Sequence, residues 1–417
     1  MKIRSITCFF DPQPENYLAT LQKLADFSRH VEIRVRAAGF DVQSTRLATP
    51  PFPAYTNHMS RAEALAWLTQ LGAAAQKAGF AYVGCGPALG EYPESFELIP
   101  ELLASSPNLF CGAMIADRFQ VYPAAIRATA KVITQAAVIE PNGFANLQFT
   151  ALANVPAGSP FFPGAYHKSG EGPAFALAVE CADYVLQAFR GATSLQAARS
   201  TLLARLEGAA GRLQQTLIEI GEREGIRFAG FDFSPAPYPQ DECSLGGALE
   251  AVGQNKAGLG GSLAAAAVIA DTLDAGRWLR TGFNGLMLPV LEDSMLAKRA
   301  AEGTLTVKDL LLYSAVCGTG LDTVPIPGDS SEDEIVAVLF DVAALSVRLG
   351  KPLTARLMPI PGKKAGELTN FTFDYFAPSR VLALSAGKVG LPLNGTEAIS
   401  LAPRQTHQHM RHGATKA

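Results

Sequence analysis

The sequence predicts an α/β fold: a large, mostly parallel sheet with helices packed outside it. Three observations carry that expectation. Strand-like and helix-like stretches alternate about ten times, and each crossover helix must bury a sheet face. No Pro/Ser-rich linker divides the 417 residues. The chain is 48% hydrophobic and 18% charged, enough to bury a sizeable core without disulfide or metal staples. The organisation expected is one large domain over residues 1–400 and a polar tail over 401–417, rich in Lys, Arg and His.

The elements follow in order. Residues 4–10 alternate and read as a strand. Residues 14–38 have helical period, with Leu18, Leu21, Leu24 and Ala25 on one face and Phe27 off it. Strands are expected at 40–47, 80–85, 109–115 and 146–154, separated by helices at 61–78, 100–105 and 124–135. Pro100 suits the first turn of its helix. A loop over 155–172 leads to a strand at 174–180, a helix at 181–189, and a long helix at 194–224 with Gly208 as a potential break. Strands at 227–233, 285–290, 353–360 and 380–384 complete the set, with helices at 245–252, 262–275, 294–302, 306–315 and 332–349.

Composition excludes several classes. Net charge is −3 and no polybasic block occurs, so a phosphate-neutralising nucleic-acid surface is not expected. The longest apolar run, 263–270, is far short of the ~20 residues of a membrane span, and the N-terminus lacks a signal-peptide apolar core. The six cysteines are scattered without a C-x-x-C pair, which fits free thiols in a reducing cytoplasm. The expected partner is a small molecule, with self-association into a homo-oligomer left open.

In such folds chemistry sits on loops at the ends of strands. The loop 154–173 carries His167, Ser169 and Glu171, and the four-residue spacing of His167 and Glu171 lets both face one point in a helical turn. Against that stands a plain hydrogen bond from His167 to loop backbone. The loop after 227–233 carries Asp232, Ser234 and Asp241, with Asp241 a helix cap or a metal ligand. Gly260, Gly261 and Ser262 open an apolar helix, where amides bind anions; the spacing matches no nucleotide-cofactor motif, and a tight turn with Ser262 as N-cap is the favoured reading. Glu292 and Asp293 follow a strand and read as cap acids or ligands. Cys317 and Asp322 lie between small residues and prolines, with no His beside Cys317 in sequence to activate it. His407, His409 and His412 cluster in the tail, where a solvated role is expected.

Four stretches carry a resemblance: Gly-Ala-Tyr-His-Lys-Ser-Gly-Glu at 164–171, Phe-Asp-Phe-Ser-Pro-Ala-Pro-Tyr-Pro at 231–239, Glu-Asp-Ser-Met-Leu-Ala at 292–297, and Cys-Gly-Thr-Gly-Leu-Asp-Thr-Val-Pro-Ile-Pro-Gly-Asp at 317–329. In these the chain resembles the bacterial and archaeal family catalogued as domain of unknown function 711. The resemblance implies a ten-stranded α/β barrel similar to pyruvate formate-lyase and the ribonucleotide reductases. It brings no settled activity. Those barrels use a cysteine thiyl radical fed by a glycyl radical in an Arg-Val-x-Gly motif. Residues 379–387, Ser-Arg-Val-Leu-Ala-Leu-Ser-Ala-Gly, lack that motif, so glycyl-radical chemistry is not expected.

The expectation is therefore a radical-independent enzyme, of lyase or hydrolase type, acting on a small carboxylate- or phosphate-bearing molecule in a central pocket. His167, Glu171, Asp232 and Cys317 are the catalytic candidates. Arg46, Ser169, Ser234, Gly260, Gly261, Ser262 and Arg356 are the substrate-binding ones, the arginines as anion holders near strand ends. Asp241, Glu292, Asp293 and Asp322 are the candidate ligands of a divalent Mg or Ca ion. The competing reading is a catalytically inactive regulatory protein that binds a small molecule or metal.

Overall fold

The computed structural model describes residues 1–12, 17–253, 255–390 and 393–403. The histidine cluster and most of the expected tail lie outside these residues. In chain order the first half comprises β1 (Lys2–Phe9), α1 (Tyr17–Ala37), β2 (Thr45–Ala48), α2 (Pro53–Thr56), α3 (Arg61–Ala78), β3 (Tyr82–Ala88), α4 (Glu94–Ser105), β4 (Leu109–Ala116), β5 (Gln120–Val121), α5 (Pro123–Ala137) and β6 (Phe149–Ala153). The chain continues with β7 (Ala174–Glu180), α6 (Ala182–Phe189), α7 (Leu195–Glu224), β8 (Arg227–Asp232), α8 (Leu245–Gly253), α9 (Ser262–Asp274), α10 (Ser294–Glu302) and α11 (Val307–Ser314). It ends with β9 (Gly320–Pro327), α12 (Glu332–Leu349), β10 (Leu353–Ile360) and β11 (Ile399–Ser400).

The helices start and stop where local chemistry says they should. Ser60 with Glu63, and Ser331 with Glu334, form capping boxes at α3 and α12. Gly79, Gly225 and Gly350 close α3, α7 and α12 in the left-handed conformation. The long helix α7 runs unbroken through Gly208, because one exposed glycine costs only ~1 kcal/mol. The expected helix 100–105 instead begins at Glu94, with Pro100 inside it.

The strand order is β8-β7-β1-β2-β3-β4-β6-β10-β9, with β5 beside β4 and β11 beside β5. Strands β1, β2, β3, β4 and β6 are parallel to one another. The flanking pairs β7–β8 and β9–β10 are each internally parallel and run the other way, joining the centre through antiparallel β1–β7 and β6–β10 ladders. Helices cover one face: Ile6, Cys8 and Leu47 belong to the large core shared with them. On the other face lies the loop 155–173. Its Ala165 and Phe162 pack on Phe9 of β1, Ala48 of β2, and Ala174 and Ala176 of β7. The Pro160 carbonyl accepts the Thr7 hydroxyl at 3.0 Å.

The expectation of a closed ten-stranded barrel is corrected. The hydrogen-bonded ladder is open between β8 and β9. The expected strand 285–290 makes no ladder. Arg280 bridges Phe231 of β8, and Pro289 bridges Asp322 of β9, so one connecting segment touches both edges without pairing along either. Its backbone cannot stay extended: Gly282 and Asn284 have φ of 71° and 45°, and Pro289 has no N–H to donate. The expected strand 380–384 likewise shrinks to one bridge, Arg380 with Leu368. Among the described residues no helix is long and apolar enough to cross a membrane.

Candidate functional site

Charged residues from four strands and one loop meet at a cavity on the loop-bearing face. Arg4 comes from β1, Arg46 from β2, Asp322 from β9 and Arg356 from β10, and Glu292 stands just before α10. Two β-bulges aim them. Ile3 pairs with Val179 and Ser5 with Ala178, so Arg4 is an extra residue with no partner in β7. Leu321 pairs with Ala355 and Val324 with Leu357, so Asp322 and Thr323 together face Arg356 alone. Thr323 has φ of 41°, a strained value for a β-branched residue that costs about 1–3 kcal/mol. Strain of that size persists only where the surroundings fix it, here directly beside Asp322.

The charges form a chain of ion pairs. Arg4 lies 3.4 Å from Glu180 and 2.5 Å from Glu292. Arg356 lies 2.9 Å from the other Glu292 oxygen and donates its Nε to Asp322 Oδ1 at 2.6 Å. Burial opposes charge on both arginines, yet Glu292 and Glu180 hold Arg4 above its ordinary value, and Asp322 and Glu292 do the same for Arg356. Burial pushes the Asp322 carboxyl up, with Glu292 adding to it and Arg356 opposing.

Arg46 is different. It is 7% exposed, and among the described residues no carboxylate pairs with it. Its one protein hydrogen bond there is from Nε to Ser44 Oγ at 3.0 Å. The guanidinium sits 5.5 Å from the Tyr82 ring centre and 5.3 Å from that of Phe162. Burial, helped by the positive Arg4, lowers its pKa to about 9, so it stays protonated at neutral pH but at a cost. An anion beside it would relieve that cost.

The cavity measures about 90 Å³. Tyr82, Phe110, Phe161, Phe162, Met287 and Phe373 wall it. Tyr375 and Gln43 line both this space and an outer depression of about 300 Å³ that also holds Lys2, Glu180 and Tyr238. The arrangement is a small, aromatic-walled chamber with fixed charges and a polar mouth, as small-molecule sites commonly are.

The family model described as "Uncharacterised ACR (DUF711)" matches residues 1–379. The chain belongs to this family. It is 32% identical to a UPF0210 protein of Pyrobaculum islandicum over 88% of this chain and 84% of that one. Similarity to UPF0210 proteins of Methanopyrus kandleri is 31% identity over 70% and 68% of the two chains, and for Desulforudis audaxviator 29% over 84% and 80%. The matched span contains every charged residue of the chamber.

In this DUF711 protein the residues singled out in sequence separate into two groups. Arg46, Arg356, Glu292 and Asp322 meet at the chamber. The others lie elsewhere. His167 does not share a point with the Glu171 carboxylate: its Nε2 meets the Glu171 backbone oxygen at 3.0 Å, and its ring stacks on Phe9 at 6.1 Å. Burial lowers the His167 pKa, against the Glu171 carbonyl and Asp11. The Glu171 side chain turns to solvent and pairs with Lys168 at 2.8 Å. Ser169 is exposed next to it.

Asp232 is wholly buried and accepts from Ser234 N, Ser234 Oγ, Phe283 N and Asn284 N at 2.6–3.0 Å. It ties β8 to the segment that bridges the sheet edges, and a Cβ on Gly282 would come within 2.1 Å of it. Asp293 caps α10 through Met295 N and Leu296 N and also accepts from Ser244 Oγ, Leu245 N and Gly246 N at the start of α8. Asp241 is exposed and takes the Ser294 hydroxyl at 2.8 Å. Gly260 and Gly261 are exposed in the turn before α9; Gly261 rather than Ser262 is the cap residue, and the Ser262 hydroxyl bonds the Leu259 carbonyl at 2.8 Å. Cys317 is buried, and its carbonyl accepts from the Lys351 ammonium. Among the described residues no three His, Cys, Asp or Glu side chains gather as a metal cage, so the four expected ligands do not form one set.

Sequence reasoning missed Arg4, Glu180 and the aromatic wall. The loop 155–173 does reach the chamber, but through Phe161 and Phe162 rather than through His167.

Proposed function

We propose that the chamber binds a small organic anion and that Arg46 is its anchor. One observation carries this: a buried guanidinium without a carboxylate partner among the described residues opens onto a cavity. Burying an unpaired charge is costly, and its retention at a cavity wall is explained by a ligand that completes the pair. A chemical step there would be acid/base in kind, with Asp322 as the group held at the strained bulge. Both Glu292 oxygens already face arginines, so pairing with Arg4 and Arg356 supports a charge-holding role better than metal ligation.

The test is calorimetric titration of the purified protein with propionate and with inorganic phosphate, beside Arg46→Met. Propionate is expected to bind the wild type, and the variant to lose at least about tenfold in affinity, the value of one charge-assisted contact. Absence of binding by either anion, or equal binding to the variant, refutes the proposal. Stoichiometric Mg or Ca in the purified protein by mass spectrometry would return Glu292 and Asp322 to ligand roles.

A further inference from the structure

The chamber has a second unfilled group, of opposite sign to the first. Asp322 is 8% exposed, and only its Oδ1 is engaged, by Arg356. Among the described residues nothing donates to its Oδ2, and the side chain forms part of the chamber wall with Arg46. The remaining charges are mutually satisfied: Glu292 holds Arg4 and Arg356 on its two oxygens, and Glu180 supports Arg4. Counting Arg4, Arg46 and Arg356 against Glu180, Glu292 and Asp322, the cluster is neutral when all are ionised.

That balance discriminates between ligands. A plain carboxylate at Arg46 leaves an uncompensated negative charge in an aromatic-walled space, facing a carboxylate oxygen that has lost water and gained no donor. A buried acceptor left unfilled in this way is penalised. A molecule that carries a carboxylate and an ammonium a few bonds apart answers both groups and keeps the chamber neutral. The volume of about 90 Å³ limits it to a few heavy atoms, and Met287 with the Phe161 and Phe162 rings offers room for only a small apolar side chain.

From this we infer that the ligand is a small zwitterion of the α-amino-acid class, its carboxylate on Arg46 and its ammonium on Asp322. The inference rests on the anion-binding reading of Arg46. The bulge sets Asp322 and Thr323 against Arg356, which engages Oδ1 and leaves Oδ2 without a protein donor among the described residues.

L-alanine, L-lactate and propionate share a frame and differ in one substituent: an ammonium, a hydroxyl or a hydrogen. Titrated into the wild type at pH 7, alanine is expected to bind at least about tenfold more tightly than either of the others. Asp322→Asn is expected to remove that preference, read as the ratio of alanine to propionate affinity, and Arg46→Met to weaken all three. Thermal unfolding of each variant reports whether it is folded; should Asp322→Asn fail to fold, the wild-type ranking alone decides. Lactate or propionate binding as tightly as alanine overturns the zwitterion and leaves the anion site standing. No binding by any of the three overturns the zwitterion, and if inorganic phosphate also fails to bind, the anion site falls with it.

Discussion

Glu292 and Asp293 are chain neighbours, both buried, and they serve opposite regions of the molecule. Asp293 faces the helical layer, where five donors from the starts of α8 and α10 surround its two oxygens. Glu292 faces the chamber, where its partners are the long side chains of Arg4 and Arg356. Asp232 belongs with Asp293, its oxygens filled mostly by backbone amides. Asp322 belongs with Glu292. The difference separates a carboxylate tied into helix starts from one paired with arginines at the chamber wall. Backbone donors fix an oxygen once and for all, whereas arginine donors leave edges free for something else.

If that division is right, the largest effects come from the capping corner. Asp293→Ala strands donors of two helix starts at once, each worth ~1 kcal/mol or more when buried and unpaired. A loss of at least about 4 kcal/mol in urea unfolding is expected, and a loss below about 1 kcal/mol would break the comparison. Glu292→Gln comes next. It keeps the shape but leaves Arg4 with Glu180 and Arg356 with Asp322, each with half its former compensation. Removing one member of a buried pair costs about 3–5 kcal/mol, and the surviving partners place this variant near 3 kcal/mol.

Arg46→Met sharpens the contrast by going the other way. It deletes a buried charge without a carboxylate partner among the described residues, and a flexible apolar side chain can lie between Tyr82 and Phe162. Unfolding free energy is expected to stay within about 1 kcal/mol of wild type or to rise, while anion affinity falls. A variant that loses several kcal/mol would make Arg46 a structural residue like Asp293.

Much of the fold was legible because strand and helix periods are local. Parallel strands read as apolar runs, and the capping signals at Ser60, Ser194 and Ser331 mark helix starts directly. The open ladder was not legible, because 285–290 has strand composition despite Pro289, and the turn that breaks it lies upstream in the φ values of Gly282 and Asn284. At the site, Arg46 and Arg356 stood out near strand ends, Glu292 after an expected strand, and Asp322 among small residues and prolines where no strand was expected. Arg4 did not, since a regular pleat sends alternate residues to one face and only a bulge turns it to the chamber. His167 misled for a physical reason: a histidine in a Gly/Pro loop is conspicuous, but a neutral ring stacked on Phe9 and bonded to a carbonyl is also a good loop anchor.

The smallest expected effect concerns that anchor. Burial lowers the His167 pKa from its ordinary 6.5, while the Glu171 carbonyl and Asp11 pull up and Arg227 pulls down. The unfolded chain therefore takes up the proton first as pH falls. Its contribution is intact above the unfolded value of about 6.5 and is lost below it, with a slope no steeper than ~1.4 kcal/mol per pH unit. His167→Gln keeps a donor for the Glu171 carbonyl but cannot titrate. The difference in stability between wild type and this variant, followed by urea unfolding from pH 7.5 to pH 5, is expected to shift against the wild type as pH falls. Taking the difference cancels the opposite trend from Asp322 and Glu180, whose raised values favour the folded state toward acid. A difference that moves in favour of the wild type as pH falls would mean that His167 is held protonated in the fold by a charge partner, and would restore it as a candidate for chemistry. A difference that falls with pH keeps it with Asp293, among the groups whose hydrogen bonds are spent on the fold.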